Sequence, residues 1–463
     1  MTPVSLKIGS TPSVMKLVAT LVMSLAMAGC SLNPPTRNAQ PVPELPQNWQ
    51  SAQSESAIDG WASQLADPQL TILVKEAVQA NPSLAASRAT LRRFAALARI
   101  SSADGKPQLS LSAGSQRGRS NELTSTGHNL QLNVSWELDL FQRIANQNSA
   151  SQQDYLASEA DLQSAQLTIA ASVARSWFNL QQAVAQKRLA LQRRDSRNIS
   201  LELVQARYNR GLGNIGDVHL AKSTLASADA EVASRQQALD AAVLSLESLL
   251  GRYPAGQIKA AGALPNLPDV LPAGIPSELM TRRPDLLAAQ ARLAAADSRL
   301  AAAHAARFPS ISLTAAAGGR SNEFSDIFSS QGLLWNLAGN LTAPIINGGR
   351  LKANQQANQA AAEIAEASYN NSLLSALTEV ETALSAEQHL RTQQAAYQVA
   401  LEQSRAAETR TKEQYGRGLT DYLNLLEAQR SADQAEQQLV VVTTQLLINR
   451  IDLYSALGAR ALP

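Results

Sequence analysis

The sequence predicts a mainly α-helical chain, written twice, with four β-strands that suit either a membrane barrel pooled among several copies or an amphipathic sheet over a soluble core. Three observations predict it. The two halves match at nearly constant offsets. Each half holds a helical run of about 67 residues, on the order of 100 Å long at helical rise. Each half also holds two short segments in which apolar and polar residues alternate.

The chain begins with a signal-like segment, residues 1–29. Lys7 and Lys16 supply its basic part and Leu17 to Ala26 its short apolar part. Met27-Ala28-Gly29-Cys30 follows and resembles a bacterial lipoprotein cleavage box, with Met27 where Leu is usual. Cys30 is the sole cysteine, so an internal disulfide is impossible. The expectation is a lipidated Cys30 that opens the mature chain; the alternative is a plain secretory signal with an incidental cysteine. Removing the two lysines from a chain of formal charge +2 leaves it neutral, which argues against nucleic acid as a partner. After the signal no apolar run reaches about 18 residues, so a spanning segment has to be β.

Residues 30–81 form an N-terminal segment, and the first repeat covers 82–251. The repeat opens with a helix from Pro82 to about Ala103, matched by Pro284 to Ala306. Pro107-Gln108-Leu109-Ser110-Leu111 matches Pro309-Ser310-Ile311-Ser312-Leu313, and here the offset is 202. Beyond Arg143 and Arg350 it is 207, because the second half carries five extra residues near Arg320 to Trp335. A Pro-rich linker, 252–283, separates the halves, since Pro254, Pro265, Pro268, Pro272 and Pro276 exclude regular helix. The second repeat covers 284–458, and 459–463 form a tail.

In the strands, Leu130, Leu132, Val134, Trp136 and Leu138 alternate with Asn129, Gln131, Asn133, Ser135 and Glu137. Leu109, Leu111 and Ala113 do the same, as do Ile311, Leu313 and Ala315, and more weakly Leu337, Gly339, Leu341 and Ala343. The pattern suits a barrel with lipid outside and water inside. It also suits an amphipathic sheet over a soluble core. Number weighs in: four strands cannot close a membrane barrel, and open edges in lipid are forbidden, so either the sheet is soluble or several copies pool strands. Three copies would supply twelve.

The long runs, Arg143 to Asn209 and Arg350 to Tyr415, carry apolar residues at spacings of three and four, such as Leu162, Ala165, Ile169, Val173, Trp177, Leu180 and Val184. The rest is largely Gln, Ser, Asn and Ala, a face that tolerates water. Two helical hairpins per chain fit a hollow barrel of helices, or a solid coiled-coil spacer.

Leu279-Met280-Thr281-Arg282-Arg283-Pro284-Asp285, Ala306-Arg307-Phe308-Pro309, Ile346-Asn347-Gly348-Gly349-Arg350 and Tyr415-Gly416-Arg417-Gly418-Leu419-Thr420-Asp421-Tyr422-Leu423 resemble the outer membrane factor family, the TolC-like efflux channels, and within it the NodT-like lipoprotein branch. The resemblance covers nearly all of the mature chain. It implies a homotrimer with a twelve-stranded barrel in the outer membrane and an α-helical barrel in the periplasm. It also implies docking to a periplasmic adaptor bound to an inner-membrane pump of the RND type. An ABC-driven protein secretion duct is the alternative within the class; a non-channel coiled-coil lipoprotein is the alternative outside it.

Under that resemblance, the turns at Arg210, Gly211 and Leu212 and at Arg417, Gly418 and Leu419 correspond to periplasmic tips that meet the adaptor. Glycine breaks the helix there, and an exposed leucine gives an apolar knob. Asp217, Asp421, Asn424 and Tyr415 are the candidate gate residues. In a trimer the acids form carboxylate rings, which repel one another and favour cations; the bland reading is that Asp217 and Asp421 cap helices. Tyr208, Arg210 and Arg417 are further candidates for holding the tips together.

No catalytic or metal motif emerges. His128, His219, His304 and His389 lack ligand spacing, and no G-x-S-x-G or Walker loop is present. The expectation is a duct without cofactor, not an enzyme. Met280 is the only methionine after Cys30, which disfavours a soft-metal path.

Overall fold

The computed structural model describes residues 46–50, 59–65, 67–120, 123–267, 274–329 and 333–462. The signal segment and Cys30 lie outside them. In chain order the elements are α1 (Trp61–Gln64), α2 (Pro68–Ala80), α3 (Pro82–Asp104), β1 (Gln108–Ser120), β2 (Leu123–Leu138), α4 (Arg143–Asn209) and α5 (Ile215–Leu249). After the linker come α6 (Leu279–Arg282), α7 (Pro284–Ala305), β3 (Ser310–Ser321), a 3-10 turn (Phe324–Phe328), β4 (Leu333–Thr342), α8 (Arg350–Gly416) and α9 (Tyr422–Ala456).

The duplication is explicit in geometry. Gly251 and Gly458, 207 positions apart, both adopt left-handed φ (78° and 69°) after α5 and α9. A Cβ on either would lie 2.7 Å from a carbonyl oxygen, that of Ala80 or of Arg282, which are themselves 202 apart. Asn81 donates to the Leu249 carbonyl at 2.8 Å, and its counterpart Arg283 donates to the Ala456 carbonyl at 3.0 Å. Each half therefore closes on itself through a glycine pressed against the entry to its opening helix, α3 or α7.

The two longest helices, α4 and α8, have 67 residues each. The sequence explains the length: no Pro or Gly interrupts either until the last residue of α8. Before each helix the backbone turns left-handed, at Gln142 (φ 61°) and at its counterpart Gly349 (φ 82°).

The chain divides into two compact units, each built from both halves. The first contains the four strands. They form one antiparallel sheet in the order β1-β2-β3-β4. Its register places the alternating residues in common rows: Leu111 opposite Leu132, Leu132 opposite Ala317, and Ala317 opposite Trp335. The rows on either side run Leu109-Val134-Ala315-Leu337 and Ala113-Leu130-Gly319-Leu333. One face is thus apolar across all four strands, with Leu111 68% and Leu337 71% exposed. Directly opposite residues share a face, so the other face collects Ser110, Asn133 and Asn336. β1 and β4 are open edges of this sheet.

β1 and β2 run further than the alternation suggests. Pairing continues through Ser115↔His128, Arg117↔Thr126 and Arg119↔Thr124, where both faces are polar. An apolar pattern marks only the part of a hairpin that buries one face; backbone pairing alone carries the remainder. The five extra residues of the second half belong to the loop that holds the 3-10 turn.

The second unit packs the helices around Trp61, Trp177, Phe178, Leu180, Ile451 and Tyr454. Trp61 stacks on Tyr454 at 5.8 Å and donates to the Ala459 carbonyl at 3.1 Å. Glu247 pins the linker, accepting from the backbone N–H groups of Gly256, Gln257 and Ile258 at 2.7, 2.6 and 3.1 Å. Burial opposes its ionisation, but these donors outweigh it and hold the carboxyl below its usual range. Among the described residues no helix is long and apolar enough to cross a membrane.

Candidate functional site

The four long helices, α4, α5, α8 and α9, are cross-linked by polar side chains at several levels. Arg450 and Glu387, both essentially without exposure, pair at 2.6 Å between α9 and α8. Arg193 reaches Glu231 of α5 at 3.3 Å and Asp433 of α9 at 3.4 Å; Arg197 also bonds Asp433 and Gln429 of α9. This cluster has no copy in the other half, since Ala400 and Ser404 stand where the repeat would place the two arginines. Burial pushes the Asp433 carboxyl up against the opposing pull of Arg197 and Arg193. Burial, then the Asp433 charge, does the same to Glu408 of α8.

At the tips the helices converge on a small core of Val204, Val218, Ala221, Tyr415, Tyr422 and Leu425. The first turn, between α4 and α5, runs through Arg210, Gly211 (φ 72°) and Leu212. The second, between α8 and α9, runs through Arg417, Gly418 (φ 78°) and Leu419. Leu212 and Leu419 are 66% and 72% exposed. Both are apolar projections at the turns, beside the exposed Ile215 and Leu423. A Schellman-type pair closes each helix: Gly211 N–H to Tyr208 and Leu212 N–H to Arg207, then Gly418 N–H to Tyr415 and Leu419 N–H to Gln414.

The acidic residues take different parts. Asp421 caps α9, accepting from the Asn424 N–H at 3.0 Å. Asn424 in turn donates its side-chain amide to Thr420 Oγ1 at 3.0 Å. In the first half the cap is Asn214, accepting from the Gly216 N–H at 2.8 Å, and Asp217 lies in the first turn of α5. Capping thus accounts for Asp421 and not for Asp217. The tyrosines also part company: Tyr415 is buried at 3% exposure, whereas Tyr208 is 41% exposed. Burial pushes the Tyr415 phenol up, Arg207 pulls it down, and the nearby Asp217 charge adds to the rise.

Arg207 is the residue that sequence reasoning missed. Its guanidinium donates to the Tyr415 carbonyl and, at 3.3 Å, to the Leu212 carbonyl, and lies 4.7 Å from the Tyr415 ring centroid. One side chain of α4 therefore ties both turns together. The available signal was a break in the repeat: Gln414 stands 207 positions on, so only one half carries the cation.

The comparisons with known proteins place this architecture. The family model described as "Outer membrane efflux protein" matches residues 73–252 and 275–459. The chain belongs to the outer membrane efflux protein family. It resembles the cation efflux system protein CusC of Escherichia coli strain K12, 32% identical over 447 residues, covering 94% of this chain and 97% of that one. A solved structure of CusC aligns with a TM-score of 0.82 at 30% identity, covering 93% of this chain and all of that one. It also resembles the outer membrane protein OprJ of Pseudomonas aeruginosa, 34% identical over 464 residues and 95% of each chain. The probable outer membrane lipoprotein SilC of Salmonella typhimurium is 30% identical, covering 93% and 96% of the two chains. This member of the outer membrane efflux protein family is an outer-membrane channel of an efflux system, and the family is one of transport proteins.

Proposed function

We propose that three copies pool their sheets into a twelve-stranded barrel in the outer membrane, and their helices into a periplasmic duct. The observation that carries this is the sheet. Its apolar face is continuous over four strands, and β1 and β4 are open edges. Open edges are incompatible with lipid, and β1 of one copy pairing with β4 of the next removes all of them at once.

In this reading Cys30 carries the lipid, a second and weaker attachment beside the barrel. Leu212 and Leu419, with Arg210, Gly211, Arg417 and Gly418, form the knobs that dock a periplasmic adaptor, which connects the duct to an RND-type transporter. Asp217 and Asp421 line the closing tip, and Arg207, through Tyr415, holds it shut. Asn424 stays with them as the residue whose amide fixes Thr420 beside the cap. Cargo is small molecules, driven by the pump. Equal identity, 32%, to a cation efflux protein and to the pyoverdine export outer membrane protein OpmQ of Pseudomonas putida supports a duct that does not select cargo, and Met280 standing alone supports one without a soft-metal relay.

Co-purification with a cognate adaptor tests the tips. Leu212→Ser with Leu419→Ser should abolish adaptor capture and efflux while the protein still assembles in the outer membrane. Full efflux by that double variant would remove the tips from docking.

A further inference from the structure

The insertion that breaks the repeat places an aromatic turn on the sheet. Ile327, 6% exposed, sits over Gly319: a Cβ at Gly319 would lie 2.0 Å from the Ile327 carbonyl oxygen, so only glycine admits it. Gly319 shares the apolar row with Leu130 and Leu333, so the turn rests on the apolar face, at the hairpin end of β3. Phe324 meets His128, also on that face, edge to face at 5.8 Å. The turn satisfies its own backbone, with Asp326 N–H bonded to Glu323 and Ser329 N–H to Asp326. Its two phenylalanines nevertheless stay outward, 68% and 75% exposed.

The apolar face ends at this level. From Leu138 to Leu130 is about 26 Å along the strand, which a barrel tilt reduces to roughly 20 Å of height. The next rows outward on the same face are Ser115-His128, Arg117-Thr126 and Arg119-Thr124. Both arginines are exposed, and β1 lies two strand spacings from β3, about 10 Å. The turn itself is amphipathic, with exposed Glu323 and Asp326 between and beside its aromatics. That composition suits a membrane interface and not the hydrocarbon interior.

We propose that the Phe324–Phe328 turn is a lipid clasp of the outer leaflet. It seats Phe324 and Phe328 at the boundary between acyl chains and headgroups, while Arg117 and Arg119 meet anionic headgroups just above. The clasp rests on the reading of the apolar face as lipid-facing. The surface is continuous with that face, which is why lipid, and not a protein partner, is its occupant.

The test is site-directed spin labelling of the full chain in vesicles of phosphatidylcholine with phosphatidylglycerol. Phe324→Cys, Phe328→Cys and Leu337→Cys are labelled, and accessibility to oxygen is compared with accessibility to a water-soluble nickel chelate. The clasp predicts oxygen over chelate at 324 and 328, less extreme than at 337. Chelate dominating at 324 and 328 with oxygen dominating at 337 overturns the clasp alone. Chelate dominating at all three overturns the lipid-facing sheet as well. Should the cysteine variants fail to assemble, Phe328→Trp read by brominated-lipid quenching replaces them. Quenching no greater than in the unaltered protein overturns the clasp.

Discussion

Asp421 carries a cap and a charge at once, and two substitutions separate them. Asp421→Asn keeps an equally good cap and removes the charge, so stability should hold while cation selectivity and multivalent-cation block fall. Asp421→Ala loses both, and about 1 kcal/mol of stability besides. Thermal unfolding and single-channel recording read the two effects; undiminished selectivity in the Asn variant would leave Asp421 as a cap only. Arg207→Ala tests the lock proposed for its neighbourhood. It removes the donor to the Tyr415 and Leu212 carbonyls, and basal conductance should rise while adaptor docking persists. A basal conductance equal to that of the unaltered protein would show that the lock lies elsewhere. Arg207 was illegible from pattern because an arginine near a helix end ordinarily solvates its own terminal carbonyls. Only packing between α4 and the opposite turn gives it two partners.

At the scale of elements, the glycine closures and the charge cluster make opposite predictions. Gly251→Ala and Gly458→Ala combine a left-handed φ with a clash against a carbonyl, and each should cost about 1–3 kcal/mol. Gly211→Ala has the same φ in open surroundings and should cost less, which thermal unfolding of the three variants would show. In the cluster, Glu408 has a raised pKa, so its ionised form weakens the fold at neutral pH and protonation strengthens it. Glu408→Gln should therefore raise thermal stability at neutral pH, with the gain shrinking as pH falls through the native carboxyl range. A gain that grows on acidification would reverse the assignment. The helices themselves were plain in the sequence, because absence of Pro and Gly and a three-four stripe act locally. The ends of β1 and β2 were not, because from Gly114 to Arg119 and from Thr124 to Asn129 neither face carries an apolar side chain and pairing leaves no compositional trace.

For the whole molecule, the fold was legible because duplication doubles every signal. Pro82 and Pro284 open equivalent helices, and Gly251 and Gly458 close equivalent halves. What duplication hides is the difference between halves, and the proposed roles gather there: Arg207 against Gln414, Tyr415 buried against Tyr208 exposed, and the aromatic turn between β3 and β4 with no counterpart. The central claim is that one chain leaves its barrel unfinished. Native mass spectrometry of the full-length protein released from detergent micelles tests it most directly. The account predicts a single species at three times the mass of the mature lipidated chain; a conducting preparation containing only single chains would contradict it.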